Sequence, residues 1–147
     1  MTRRELREHC FKLLFCADFY PAEETEEQIE QYFTEPQEEE DIPNGLGDII
    51  HSPALDAFDG GYVKTKVEKI MAQIPELDEQ INKIAQGWNT HRMGKVELTI
   101  LRLALFEMKQ DEDVPEKVAI NEAVELAKKY GGDDAPAFIN GILAKLV

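Results

Sequence analysis

Lys95-Val96-Glu97-Leu98-Thr99-Ile100-Leu101-Arg102-Leu103-Ala104-Leu105-Phe106-Glu107-Met108 carries the strongest local pattern in this chain. Val96, Leu98, Ile100, Leu101, Leu103, Ala104, Leu105 and Met108 leave it almost no polar face. A helix that is apolar nearly all round lies in the centre of a bundle, covered on several sides. The rest of the chain must therefore supply the covering helices.

Downstream, Asp113-Val114-Pro115 starts a helix whose Ile120, Ala123, Val124 and Ala127 face inward. Lys128 and Lys129 sit at its C-terminal end, where positive charge complements the helix dipole, and Gly131 supplies a stop. Asp133 or Asp134 caps a last helix from Pro136 onward, with Phe138, Ile139, Ile142, Leu143 and Leu146 apolar. Upstream, Thr90 to Gly94 reads as a junction. Pro75 suits the first turn of a helix carrying Leu77, Ile81, Ile84 and Trp88, and Tyr62 to Gln73 keeps the helical period. Pro36, Pro43, Gly45, Gly47, Pro53, Gly60 and Gly61 punctuate a long loop. Before it, Thr25 to Phe33 makes a short helix, and Leu6, Cys10, Leu13, Leu14 and Ala17 form one stripe between Arg3 and Phe19. No convincing strand pair appears. The expectation is an all-α fold of about seven helices in a single domain over residues 1–147, with an acidic, mobile loop at about 34–60.

Composition agrees with a globular protein: 43% apolar and 31% charged residues over 147. No stretch approaches the roughly 20 apolar residues of a membrane span, and Glu5, Arg7, Glu8 and Lys12 interrupt any signal core. Cys10 and Cys16 lie at neither a metal nor a redox spacing and read as plain buried thiols, so a cytoplasmic protein is the default expectation. The net charge of −14 argues at first against nucleic acid. Its distribution changes that, because residues 21–61 hold 13 of the 30 acidic side chains and no Lys or Arg. The remaining 106 residues are near neutral, with 17 acidic against 16 basic groups. Steering depends on the local potential at a binding face.

Nothing in the sequence assembles a catalytic site. His9, His51 and His91 are scattered, without partners at metal-ligand spacing. Gly60-Gly61 follows no strand and precedes no Lys-Ser/Thr, and the single serine, Ser52, sits in no nucleophile elbow. Neither enzyme activity nor a cofactor nor a metal is expected.

Three stretches are odd for a purely structural bundle. Arg3, Arg4 and Arg7 open a helix, where the dipole disfavours positive charge. Guanidinium forks suit phosphates and stack on bases, although a solvated basic tip explains them equally well. The second is Val118 to Gly131. The third is Phe138-Ile139-Asn140-Gly141-Ile142-Leu143, where Asn140 and Gly141 interrupt a good helix and Gly costs about 1 kcal/mol against Ala. Close helix packing, or a backbone bond from Asn140, accounts for that pair without a ligand, and packing is favoured.

At these residues the chain resembles the bacterial NusB transcription antitermination factors. The likeness lies in Arg3-Arg4-Glu5-Leu6-Arg7-Glu8, in Ile100 to Met108, in Val114 to Lys128 with its Val-Ala-Ile-Asn-Glu-Ala run, and in Phe138 to Leu143. It extends over essentially the whole chain. The resemblance implies two three-helix bundles with an N-terminal helical extension. It also implies binding to boxA RNA, pairing with the ribosomal protein NusE, entry into the RNA polymerase elongation complex and read-through of ribosomal RNA operons. By position it assigns Arg3, Arg4 and Arg7 to RNA phosphates and bases, and Phe15 to stacking where the family often has Tyr. The resemblance likewise places Asp134 and Phe138 against RNA at the head of the last helix, and Glu97 toward NusE, with Arg102 on that same helix.

Two departures bear on affinity. Glu5 and Glu8 dilute the arginines, so residues 1–20 carry only +1, and the acidic segment from Glu23 to Asp59 is longer than usual. If about three phosphates are neutralised, the single-strand salt slope is roughly −2, and moving from 50 to 200 mM salt weakens binding about twenty-fold. The alternative reading is a helical protein–protein adaptor or homodimer with weak or lost RNA binding. A third, an RNA-methyltransferase subdomain, fits poorly because no nucleotide-binding fold follows Val147.

Overall fold

A computed structural model of the chain describes residues 2–19, 22–34, 57–85 and 87–147. Among them the all-α expectation holds: seven α-helices and two short 3-10 helices, with no strand. The helices are α1 (Arg3–Ala17), α2 (Thr25–Thr34), α3 (Ala57–Ala72), α4 (Ile74–Ile84), α5 (Lys95–Gln110), α6 (Glu116–Tyr130) and α7 (Ala135–Leu143). The chain divides into two compact units, Met1–Lys69 and Ile70–Val147.

In the first unit, α1 buries Cys10, Phe11, Leu13, Leu14 and Ala17, so the stripe expected from the sequence becomes core. Helix α1 packs on α2, where Ile29 is buried. His9 Nδ1 meets the Tyr32 hydroxyl at 2.5 Å, with the two rings edge to face at 5.9 Å. Cys10 is buried but Cys16 is only half-buried, and both are free thiols.

Helix α3 begins five residues before Tyr62, so Gly60 and Gly61 lie inside a helix and not in the loop. Glycine costs about 1 kcal/mol per helical position. Val63, Val67 and Ile70 recur at four and three residues and are fully buried, which offsets that cost. The acidic segment expected over about 34–60 lies outside the described residues from 35 to 56, together with its prolines and Gly45 and Gly47.

In the second unit, α5 is the centre that its pattern implied: every residue from Leu98 to Glu107 is buried. Helices α4, α6 and α7 all pack against it. Helix α4 ends at Ile84, so Trp88 falls in the turn that follows and stands half exposed. Ala119, Ile120, Ala123, Leu126 and Ala127 form the inward face of α6. Its stop at Gly131 does not use the left-handed conformation, since φ there is −96°. A Cβ at Gly131 would lie 2.5 Å from the Ala135 Cβ and 2.9 Å from the Ala127 carbonyl oxygen. Close approach of α7 to the end of α6 is what requires glycine here.

Gly141 behaves in the opposite way. It is exposed, and a Cβ added there meets nothing within 4 Å. The close packing expected around Asn140 and Gly141 is absent from Gly141, and Asn140 is exposed as well.

Candidate nucleic-acid interface

The N-terminal tip of α1 is built by its cap. Thr2 accepts the Glu5 backbone N–H at 3.1 Å, and the Glu5 carboxylate accepts the Thr2 N–H at 3.3 Å. This reciprocal capping box satisfies two orphan donors of the first turn. The Thr2 hydroxyl, and then the Thr2 backbone, hold the Glu5 carboxyl below its ordinary value. Glu5 therefore does more than dilute the arginines: it fixes the helix end that carries them. The Thr2-Arg3-Arg4-Glu5 spacing announces the box in the sequence, where Glu5 reads only as a charge.

The three arginines of α1 are not equivalent. Arg3 and Arg4 are exposed, whereas Arg7 is 7% exposed. Phe15 lies 11 residues beyond Arg4, three turns and about 16 Å along the same face at 1.5 Å per residue. It is half-buried within a row of aromatics at four-residue spacing. Phe11 stacks on it at 6.0 Å and Phe19 meets it edge to face at 5.2 Å. Phe19 is 61% exposed and continues this row past the helix end. The Lys12 ammonium lies 5.8 Å from the Phe15 ring centroid. One face of α1 thus offers a guanidinium for phosphate and, three turns away, aromatic rings for bases.

The remaining candidates lie in the second unit. Asp134 stands at the N-cap position of α7 but makes no side-chain cap bond, so its exposed carboxylate does not close the helix as expected. Phe138, half-buried one turn later, rests edge to face on Trp88 at 5.4 Å. Glu97 occupies the first turn of α5, half-exposed, folded back toward Gly94. Arg102 is differently placed. Its guanidinium grips Asp78 of α4 with two bonds, Nε to Oδ1 and Nη2 to Oδ2, each 2.8 Å. The two side chains are 11% and 21% exposed, so this arginine ties α5 to α4 and is committed within the unit. Of the two residues expected to face a protein partner, Glu97 is half-exposed and Arg102 is held by Asp78. Arg3, Arg4 and Phe15 share one helix, and Asp134 and Phe138 share another in the other unit.

The fold defines a class: an all-helical protein with arginines exposed at the tip of α1 and aromatic rings along the same helix. The NusB family model matches residues 4–147. The transcription antitermination protein NusB of Lachnoclostridium phytofermentans is 44% identical over 147 residues, covering 100% of this chain and 99% of that one. Its counterpart from Agathobacter rectalis is 43% identical, covering 99% and 98%. Among solved structures, T. maritima NusB superposes with a TM-score of 0.71 at 26% identity, over 99% of this chain and 90% of that one. A crystal structure of the antitermination factors NusB and NusE in complex with dsRNA gives 0.66 at 26% identity, over 98% and 94%. The chain belongs to the NusB family.

Proposed function

We propose that this protein is an RNA-binding transcription antitermination factor that pairs with NusE, binds boxA RNA and supports read-through of ribosomal RNA operons as part of the RNA polymerase elongation complex in the cytoplasm. The observation that carries the reading is the full-length likeness to NusB chains, one of them solved with NusE and RNA. The local chemistry supports it. Arg3 and Arg4 hold phosphates through charge-assisted forks, and Phe15 offers a stacking surface. Asp134 and Phe138 border the strand in the other unit, and Glu97 faces NusE. Arg7, also assigned to RNA by the resemblance, is buried, and Arg102 fixes the helix that carries Glu97.

The test is boxA RNA binding with NusE present, comparing the wild type with Arg3→Ala/Arg4→Ala. The double variant removes two phosphate contacts, so affinity falls and the salt slope shrinks by about 1.4. Helicity and melting temperature stay nearly unchanged. Equal RNA affinity for the two proteins sinks the assignment of this face.

A second reading, a protein–protein adaptor without RNA, draws on the charge: −14 overall and +1 over residues 1–20. A pull-down that recovers NusE while no RNA shift appears favours it.

A further inference from the structure

Two stretches of this acidic chain are free of Asp and Glu for longer than any others: residues 80–96, 17 long, and residues 135–147, 13 long. The first carries Lys83, His91, Arg92 and Lys95, and the second Lys145. They are far apart in sequence, and the second unit brings them together. Trp88 meets Phe138 edge to face at 5.4 Å, and Lys145 Nζ donates to the Ile84 carbonyl oxygen at 3.1 Å.

The turn between α4 and α5 is fixed rather than frayed. Gly87 takes φ of +80°, a conformation that favours glycine, and the Trp88 N–H donates to the Ala85 carbonyl at 2.7 Å. Asn82 Oδ1 accepts the Thr90 N–H at 2.8 Å. Asn89 Oδ1 accepts the N–H groups of His91 and Arg92 at 3.0 and 3.2 Å. All this backbone bonding holds an indole 51% exposed, beside the exposed His91, Arg92 and Lys95. A lone exposed hydrophobic residue needs no explanation. A rigidly held indole within the longest acid-free stretch of a −14 chain, in ring contact with Phe138, does.

We propose that this turn is a second RNA contact, in which Trp88 stacks on an unpaired base and Arg92 takes the adjoining phosphate. It rests on the reading of the chain as an RNA binder, and extends the Phe138 contact to residues that the family resemblance did not supply. The chemistry selects single-stranded RNA because the patch pairs an aromatic face with cations. Every base has a π-face that stacks on indole, whatever the sequence. Asp133 and Asp134, one turn before Phe138, precede the second acid-free stretch, which leaves the phosphate to the Arg92 side.

Trp88 is the single tryptophan of the chain, so its emission reports on this turn alone. The experiment titrates full-length protein with NusE, using end-labelled single-stranded boxA RNA and reading both RNA anisotropy and indole emission. Any tryptophan in NusE is replaced by Phe. Stacking quenches the indole and shields it from acrylamide. Trp88→Ala weakens RNA binding about tenfold. Trp88→Phe keeps most of the affinity, and Arg92→Ala lowers the salt slope by about 0.7. Circular dichroism and melting of each variant separate lost contact from lost fold, with Trp88→Phe as the variant that keeps the ring contact. Unquenched emission with wild-type affinity in Trp88→Ala, while Arg3→Ala/Arg4→Ala loses binding, overturns this inference and leaves the RNA-binding reading standing. Quenching by polyglutamate but not by RNA assigns the patch to an acidic protein segment and also overturns it. No RNA binding by the wild type removes both.

Discussion

Helix α1 carries three of the chain's five arginines and α5 carries one, and Arg3 and Arg4 stand in surroundings opposite to those of Arg102. Arg3 and Arg4 project from a capped helix tip into solvent. Arg102 lies among ten consecutive buried residues, with both ends of its fork on Asp78. The same guanidinium is exposed at one place and buried against a carboxylate of a neighbouring helix at the other. At the tip of α1, Glu5 Oε1 is engaged by the Thr2 cap.

The largest expected effect tests this contrast directly. Arg102→Ala leaves Asp78 without its partner in a mostly buried setting, which costs about 3 kcal/mol. Urea denaturation reads that loss, and RNA affinity per folded molecule stays near wild type. Lys83→Ala removes an ion pair to Glu79 whose side chains are both 70% exposed, and stability changes by less than about 0.5 kcal/mol. The contrast breaks if Arg3→Ala/Arg4→Ala lowers stability as much as Arg102→Ala does.

These arginines also show what the sequence could convey. The apolar run of α5 identifies the central helix because burial on all sides leaves its mark at every position. Arg102 inside that run reads as an outward contact, since its partner Asp78 is 24 residues away and belongs to another helix. Trp88 reads as one more apolar residue of α4, because the period continues smoothly past the point where Gly87 turns the chain. Its contact with Phe138 spans 50 residues, beyond any local pattern. Arg3 and Arg4 were legible as oddities because they oppose the helix dipole. That Arg7 differs from them was not, since burial on α1 depends on packing. Gly60 and Gly61 read as loop signals, and the buried Val63, Val67 and Ile70 override them.

A sharper version of the contrast lies in two glycines, Gly131 at the end of α6 and Gly141 within α7. Gly131→Ala forces a Cβ against the Ala135 Cβ and the Ala127 carbonyl, where one neighbour is backbone and cannot yield cheaply. Overpacking of this kind costs about 1–3 kcal/mol. Gly141→Ala adds a methyl group in open space at an exposed helical position, and stabilises by up to about 1 kcal/mol. Thermal melts of the two variants should therefore move in opposite directions. A fall in both melting temperatures would show that α7 needs glycine at Gly141 for a reason other than space.

The smallest effect belongs to His9, one of the polar groups that α1 turns inward. It is 5% exposed and bonded to Tyr32, and desolvation pushes its pKa below the ordinary value while Glu5 acts weakly the other way. The folded protein thus resists protonating this imidazole, whereas the unfolded chain takes up the proton near pH 6.5. Below that pH the unfolded state binds more protons, so stability falls as the medium becomes more acidic. The contribution is complete above about pH 6.5 and is lost between that value and the lower folded pKa. Urea midpoints at pH 5, 6, 7 and 8 should rise from 5 to 7 and then level off. His9→Phe removes the titrating group and flattens the rise, and Tyr32→Phe, which keeps the imidazole buried, retains it. A slope that survives His9→Phe would place the acid sensitivity in the carboxylates instead.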